Sequence, residues 1–395
     1  MSQRYLRRFT DSRSAADRRT AEAGAAQHGA RGQRRRWSAW TLALGVLIAG
    51  CATSGKPQSA LDPAGPVAAS EDALWDLVFW IAVVVFVIVQ GLILLAVFRY
   101  RDRGSGDIPR QVAGNTRLEV FWTIVPAVIL IAIAIPTVRT IFEVARDPGD
   151  QALDVRVVGK QYWWEFEYLG DEGQGVVTAN QLHIPTDRPI ALDMQSLSAT
   201  QPDPGMDEDP QVGQPVSDGV IHSFWVPRLA GKQDVVPGHT RRMMIQADEP
   251  GTYPGQCAEF CGLSHARMRF QVIAHEPAEF EQWLTEQAQP AAAASSGLAA
   301  EGQELFQSQQ CITCHAIDGY EAAGGAAAEV RIGPSLTHFA SRTTFAGGIF
   351  DVDDPEQLAA WLRDPQAVKP GAQMPNLGLS PEQVEALSAY LYSLE

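Results

Sequence analysis

Two long apolar segments constrain the fold of this chain more than any other feature of its sequence. Residues 74–98 contain no Lys, Arg or Glu, and residues 120–138 contain no charged residue. About 20 helical residues, each adding about 1.5 Å, cross a hydrocarbon core about 30 Å thick. We therefore predict two transmembrane helices, at residues 74–98 and 120–140, joined by a loop at residues 99–119.

The charges of this loop predict how the hairpin is oriented. Residues 99–117 contain five Arg against two Asp, and short loops rich in basic residues stay on the cytoplasmic side. The segments before and after the hairpin are then extracytoplasmic. Gln90 and Pro126 lie inside the apolar segments, and such residues are tolerated where they face another membrane helix. A partner membrane subunit is therefore expected.

Residues 1–50 are predicted to be a leader with a signal peptide. Three consecutive Arg precede the 14 apolar residues 37–50, which is the charged-then-apolar pattern of a secretory signal and too short to span a bilayer. Small residues before Cys51 resemble a bacterial lipoprotein processing site, which predicts a lipidated Cys51; an ordinary signal peptide with an incidental Cys is the alternative. Residues 51–73 would then be an extracytoplasmic segment.

Charge argues against a nucleic-acid partner. The first 36 residues hold ten Arg and three acidic residues, so the remainder carries 21 basic against 43 acidic groups. A nucleic-acid-binding protein needs a basic surface to neutralise phosphates. We therefore expect no nucleic acid to bind.

The segment after the hairpin divides into two predicted domains. Residues 150–280 consist of short runs of β-branched and aromatic residues separated by Gly and Pro, which is typical of an all-β barrel or sandwich. Residues 281–297 change from a polar helical pattern to an Ala- and Ser-rich stretch without core-forming residues, and we interpret them as a linker. A second domain is predicted at residues 298–395.

The β-rich segment contains a set of soft metal ligands. His222 is followed by Cys257, Cys261, His265 and Met268, and thiolate, imidazole and thioether donors suit copper better than magnesium, calcium or manganese. A mononuclear blue copper site uses one Cys, so the second Cys indicates two bridged metals. A Cys257–Cys261 disulfide and a structural zinc site are the alternatives, although the disulfide leaves the other ligands unexplained and zinc has no use for Met268.

The last domain contains the sequence Cys311-Ile-Thr-Cys314-His315, which is the c-type haem attachment pattern. A redox-active dithiol is the alternative, but the adjacent His and the extracytoplasmic side favour covalent haem with His315 as an axial ligand. The sixth iron ligand requires a soft or imidazole donor. Met374 is the first choice and His338 the second.

Together these motifs resemble cytochrome c oxidase subunit 2 with a fused class I cytochrome c domain. The resemblance rests on residues 257–268, on His222-Ser-Phe-Trp-Val-Pro upstream, and on the haem motif with Gly333-Pro334 after it. It implies a multidomain membrane protein with a two-helix transmembrane hairpin, an all-β cupredoxin barrel and an all-α cytochrome c domain. It also implies a dinuclear copper centre, called CuA, held by His222, Cys257, the backbone carbonyl of Glu259, Cys261, His265 and Met268.

The resemblance implies further roles for four residues. The Glu259 carboxylate would bind Mg²⁺ at the interface with subunit 1. Glu119 would lie at the mouth of a proton channel in that subunit, although a carboxylate at a helix N-terminus also needs no function. Tyr162 and Trp163 would receive the electron, with Tyr162 where many family members have Trp; alternatively, these aromatic residues only fill the barrel core.

The function implied is electron input to a haem-copper oxidase. Electrons would pass from reduced cytochrome c through haem c to CuA and on to haem a of subunit 1, where O₂ is reduced to water with proton pumping; no catalytic residue is expected in this chain. The partners implied are subunit 1 with haem a and CuB, subunit 3, an external cytochrome c and membrane lipid. The alternatives are the electron-input subunit of a nitric oxide reductase and a membrane-anchored electron carrier. Quinol oxidase subunit 2 shares the fold but lacks the copper ligands.

Overall fold

The computed structural model describes most of the chain after the predicted leader. The predicted signal peptide at residues 1–50 and Cys51 lie outside the described part. The described residues are 56–101, 111, 113–170, 175–198, 219–291, 294, 296–309, 311–318 and 332–395.

Two long helices form the hairpin that the apolar segments predict. Helix α1 (Pro66–Arg99) and helix α2 (Thr116–Val144) are both long and apolar enough to cross a membrane, and most of their side chains are exposed. Asn115 caps α2, because its side chain accepts hydrogen bonds from two backbone N–H groups of the first turn. Helices that are apolar on every face require lipid or other membrane helices around them.

Helix α1 begins before the predicted span at residue 74 because its first turn is anchored in the extramembrane domain. Pro66 occupies the first turn, where its missing N–H costs nothing. Val67 and Ala68 are buried, and the Ala68 N–H donates to the Leu229 carbonyl at 3.2 Å. The helix therefore continues from the membrane segment into the β-rich domain.

The described residues of the β-rich domain form ten strands, which confirm the all-β prediction. Two five-stranded sheets have the orders β3-β2-β1-β5-β8 and β4-β10-β9-β6-β7. The β1/β5 and β4/β10 pairs are parallel, and the other recorded pairs of these sheets are antiparallel. The strands are β1 (Leu153–Lys160), β2 (Trp163–Tyr168), β3 (Val177–Ala179), β4 (Gln181–Pro185), β5 (Ile190–Ser196), β6 (His222–Trp225), β7 (Lys232–Val235), β8 (Arg241–Ile245), β9 (Gly251–Cys257) and β10 (Arg269–His275).

Aromatic side chains fill the space between these sheets. Trp164 and Phe166 are two residues apart in β2 and therefore point to the same side of the sheet. They meet Phe224 and Phe270 there, and all four side chains are fully buried. The rings of Phe224 and Phe270 stack with centroids 4.4 Å apart, and Trp164 meets each of them edge-on. This cluster is part of the core of the domain and lies directly beside His222.

Helix α3 (Pro277–Gln287) closes the β-rich domain. Phe280 and Leu284 are one helical turn apart and both are buried in the domain core. The helix consequently extends into the segment that the sequence analysis interprets as a linker, and residues 281–287 pack with the β-rich domain.

The last domain is mainly helical, as predicted. Helix α4 (Gly297–Ser308) and helix α7 (Pro381–Leu391) pack closely against each other. A Cβ at Gly302 in α4 would lie 2.0 Å from the Ala386 carbonyl oxygen in α7. Ser380 and Gln383 form a capping box at the start of α7. The elements are α4 (Gly297–Ser308), β11 (Thr344–Phe345), β12 (Phe350–Asp351), α5 (Pro355–Arg363), α6 (Pro365–Val368) and α7 (Pro381–Leu391).

Candidate metal and haem sites

Neighbouring strands and one loop bring the predicted copper ligands together. His222 begins β6 and Cys257 ends β9, and these two strands pair in the same sheet. The chain after Cys257 forms a loop that returns beside it, so that the Cys257 N–H donates to the Met268 carbonyl at 2.9 Å. The loop contains a 3₁₀ turn, His265–Arg267. The fold thus closes the ligand set around the end of one strand.

The ligand atoms form a compact cluster around the two sulfur atoms. The Sγ atoms of Cys257 and Cys261 are 3.8 Å apart. The remaining distances are 3.8 Å from Cys257 Sγ to His222 Nδ1, 3.2 Å from Cys257 Sγ to the Glu259 carbonyl oxygen, 3.7 Å from Cys261 Sγ to His265 Nδ1 and 3.8 Å from Cys261 Sγ to Met268 Sδ.

The spacing of the sulfurs fits metal bridging. Two sulfurs 3.8 Å apart subtend about 111° at a metal bound to both at about 2.3 Å, which is close to the tetrahedral angle. Ligand atoms of His222, Cys257 and Cys261 all lie within 4.8 Å of one another, and the three residues are buried. The arrangement therefore fits a pair of soft metal ions held by shared thiolates.

The two thiols are electrostatically coupled. The hydrogen bond with Cys261 lowers the pKa of Cys257, and the hydrogen bond with His222 lowers it further. The same Cys257–Cys261 hydrogen bond raises the pKa of Cys261. Thiolates are the metal-binding form, so the lowered pKa of Cys257 favours binding of a metal at this site.

The surroundings of His222 fix its ring. Trp164 meets the ring edge-on, with centroids 5.8 Å apart. A Cβ at Gly159 would lie 3.0 Å from His222 Cδ2 and 3.1 Å from Trp164 Cζ3, so the backbone of β1 packs directly on both rings. The His222 side chain is fully buried, and the aromatic core therefore holds this ligand in place.

The haem motif forms a tight turn at the edge of a cavity. Cys311–Thr313 is a 3₁₀ turn, and the His315 N–H donates to the Cys311 carbonyl at 3.0 Å. Both thiols are free. A cavity of about 270 Å³ is lined by Cys311, Cys314, His315 and Met374. The two thiols and the two predicted axial ligands therefore face one space.

The His315 ring is oriented for ligation. Its Nδ1 lies 2.8 Å from the Pro334 carbonyl and must donate to it, which leaves Nε2 as an electron-pair donor. Burial lowers the pKa of His315, which favours the neutral ring that binds iron. These features fit the haem group that the sequence predicts.

His338, the second choice for the axial position, does not line this cavity. Its Nδ1 lies 2.8 Å from the Glu395 carbonyl and its Nε2 lies 3.0 Å from the Gln289 carbonyl. Both ring nitrogens are thus used to hold the end of the chain and the linker. The geometry favours Met374 as the axial ligand.

The other predicted residues lie in different environments. Glu119 is exposed at the first turn of α2, where its carboxylate accepts from the Asn115 N–H at 3.2 Å. The Glu259 side chain is partly exposed on the copper-ligand loop. Tyr162 and Trp163 are 6% and 7% exposed and line the haem cavity, so they separate that cavity from the β-rich domain.

Sequence reasoning missed the residues that join the two domains. Gln161 Nε2 donates to the Cys261 carbonyl at 2.6 Å and also lines the haem cavity. Lys369 is buried, and that burial lowers its pKa to about 7. Its partner Tyr162 is 207 positions away, and no local pattern in the sequence marks a contact over that separation.

Comparisons with known proteins agree with this architecture. The model of the cytochrome c oxidase subunit II transmembrane domain matches residues 57–140, and that of the cytochrome c oxidase subunit II periplasmic domain matches residues 153–275. The cytochrome c family model matches residues 299–395. The three models follow one another along the chain in the order of the observed domains.

Curated relatives extend the comparison to most of the chain. Cytochrome c oxidase subunit 2 of Alkalihalophilus pseudofirmus is 36% identical, with 89% of this chain and 95% of the relative covered. The corresponding protein of Bacillus subtilis is 35% identical with the same coverage. Quinol oxidase subunit 2 of Bacillus spizizenii is 31% identical, but covers 62% of this chain and 69% of its own length. The chain belongs to the cytochrome c oxidase subunit 2 family, in a form that also carries a cytochrome c domain.

Proposed function

We propose that this chain passes electrons from a reduced external cytochrome c, through haem c and CuA, to haem a of subunit 1, where O₂ is reduced to water with proton pumping. Membership of the family makes the chain the electron-input subunit of a haem-copper oxidase, an oxidoreductase. The observation that carries the finer proposal is the contact between the haem cavity and the segment Gln161-Tyr162-Trp163. Gln161 in turn hydrogen-bonds the Cys261 carbonyl.

Within the copper site, each residue has a proposed task. Cys257 and Cys261 would supply thiolates to the copper pair, His222 and His265 would supply imidazoles, Met268 a thioether and Glu259 its backbone carbonyl. The copper pair supplies a one-electron carrier when it is bound. The rigid surroundings of His222 and the closed loop limit movement of the ligands, which favours electron transfer because little reorganisation is then required.

Within the haem site, Cys311 and Cys314 would hold haem c covalently, and His315 and Met374 would be the protein ligands of its iron. Bound haem c supplies a second one-electron carrier, and a Met/His ligand pair raises its potential. The hydrogen bond from His315 Nδ1 to the Pro334 carbonyl sets the tautomer and increases the electron donation of Nε2.

Other roles follow from the same proposal. Glu259 supplies a carboxylate to Mg²⁺ at the interface with subunit 1, and Glu119 lies at the mouth of a proton channel in that subunit. Cys51 carries the lipid, and both mature termini lie on the periplasmic side of the bacterial inner membrane. Subunit 3 and an external cytochrome c are further partners.

Purification of the native complex tests this function. We expect optical bands of haem c and haem a, a mixed-valence dicopper EPR signal, and oxygen uptake with reduced cytochrome c. Haem c and copper signals with nitric oxide turnover but no oxygen uptake would assign the chain to a nitric oxide reductase. Isolation without haem a and without oxygen uptake would leave a membrane-anchored electron carrier.

A further inference from the structure

A single loop of the cytochrome c domain carries an unusual buried cation. Lys369 lies five residues before Met374, and its side chain is 3% exposed. Its Nζ donates to the Tyr162 carbonyl at 2.6 Å and to the Ala346 carbonyl at 2.8 Å. The first carbonyl belongs to the β-rich domain, which holds the predicted copper ligands and is called the copper domain below, and the second belongs to the cytochrome c domain. The amino group therefore joins the two domains.

The chain leaves a space of matching shape for this amino group. A Cβ at Gly347 would lie 2.4 Å from Lys369 Nζ and 2.9 Å from the Tyr162 carbonyl oxygen. Gly347 also has φ +78, a conformation that glycine adopts without strain. Any side chain at this position would fill the site that the lysine occupies.

The residues on both sides of Lys369 also bind the copper domain. The Ser264 hydroxyl donates to the Pro370 carbonyl at 2.6 Å, and the Arg267 guanidinium donates to the Val368 carbonyl. Ser264 and Arg267 flank the copper ligand His265. Three consecutive residues, 368–370, in the loop that leads to Met374 are thus hydrogen-bonded to the copper domain. Two of these bonds are made to the loop at residues 257–268, which carries the predicted copper ligands.

Lysine is rarely buried without a specific reason. Its charged form loses hydration, and among the residues that the structure describes no carboxylate pairs with Lys369. The two carbonyls are its hydrogen-bond partners, and both the protonated and the neutral amino group carry enough hydrogens for them. Its removal would leave two carbonyls buried at the domain boundary without their donor, which is costly.

We propose that Lys369 is a positioning residue that holds the cytochrome c domain against the copper domain in one orientation, with Tyr162 fixed between the haem cavity and the copper ligands. The proposal rests on the proposed function in assuming that electrons pass from haem to copper within this chain. With the lysine in place, that transfer requires no docking step. Without it, the remaining contacts hold the cytochrome c domain less firmly, and the domain must return to this orientation before each transfer.

The test compares Lys369→Met with Lys232→Met, an exposed lysine of β7, in the full chain purified with its partners. Both variants replace a lysine with the same side chain. After rapid photoreduction of the haem, we expect the electron to reach copper at least tenfold more slowly in Lys369→Met. The slow rate should fall further as solvent viscosity rises, whereas wild type and Lys232→Met should not respond. Haem absorption, copper EPR and both midpoint potentials should be unchanged.

Hydrogen exchange of the same samples tests the contact independently of electron transfer. In Lys369→Met, the backbone amides around Tyr162 and in residues 368–371 should exchange faster than in wild type. Unchanged rate and unchanged exchange would overturn the proposal. Absence of haem-to-copper transfer in wild type would refute the proposed function, and the exchange data would then still decide the role of Lys369. If Lys369→Met does not bind haem, Lys369→Gln replaces it with the same expectations.

Discussion

Replacement of Gly333 with Ala tests whether the His315 ring is packed as the structure shows. A Cβ at this position would lie 2.6 Å from Cε1 and 2.8 Å from Nδ1 of His315. Atoms in contact prefer separations of about 3.5–4.0 Å, so the ring must retreat by about 1 Å. The hydrogen bond from Nδ1 to the Pro334 carbonyl, now 2.8 Å, would then be lost.

The cost of this change can be worked out from its two parts. Overpacking costs about 1–3 kcal/mol, and the lost hydrogen bond costs about 1 kcal/mol. The sum of about 2–4 kcal/mol corresponds to ligation by His315 that is about 30-fold to several-hundred-fold weaker, since about 1.4 kcal/mol is a factor of ten.

Competition with added imidazole measures this loss. In the full-length chain in detergent, imidazole should replace His315 in Gly333→Ala at far lower concentrations than in wild type, as followed by haem absorption. Gly378→Asn is the matched control, because nothing lies within 4 Å of its Cβ position and Asn accepts φ +65. Equal resistance to imidazole in wild type and Gly333→Ala would refute the packing of His315 on Gly333.

Three other predictions address the two sites and the acid stability of the copper domain. Met268→Leu should alter the copper EPR signal and leave the haem bands intact; loss of both signals would contradict separable sites. Met374→Ala should shift the haem potential alone, and an unchanged potential would exclude this residue as the axial ligand. Burial, with smaller contributions from His275 and Arg342, lowers the pKa of His183 from 6.5 to about 3. Between these two pH values the unfolded state binds more protons than the folded state. The free energy of unfolding therefore falls as the pH drops from 6.5 towards 3, by at most about 1.4 kcal/mol per pH unit. In urea unfolding between pH 7 and pH 5, His183→Gln should show a smaller pH dependence than wild type, and equal slopes would contradict the assignment.

The fold could be predicted largely from local patterns. Uninterrupted apolar segments indicate membrane helices because lipid leaves the backbone no other partners. The loop from Cys257 to Met268 places four predicted side-chain ligands of copper within twelve residues, and the haem motif is shorter still. Local spacing of this kind carries the chemistry in the sequence itself, which is why these residues could be named before their distances were known.

Contacts between distant parts of the chain could not be predicted in this way. The extension of α1 to Pro66 depends on the anchoring of Val67 and Ala68 in the copper domain. The helix that continues to Gln287 depends on the burial of Phe280 and Leu284. Each side chain alone is compatible with a loop or a linker, and only packing against a separate element decides its conformation.

The position of Tyr162 shows how a fused domain changes the demands on an oxidase subunit. Its hydroxyl oxygen accepts from the Leu263 N–H at 3.0 Å, its carbonyl accepts from Lys369, and its side chain is 6% exposed. A soluble protein cannot touch a residue that the cytochrome c domain covers. The residue at position 162 therefore has to suit a fixed neighbour within the same chain. A tyrosine at this position meets that demand, because its polar groups join the two domains.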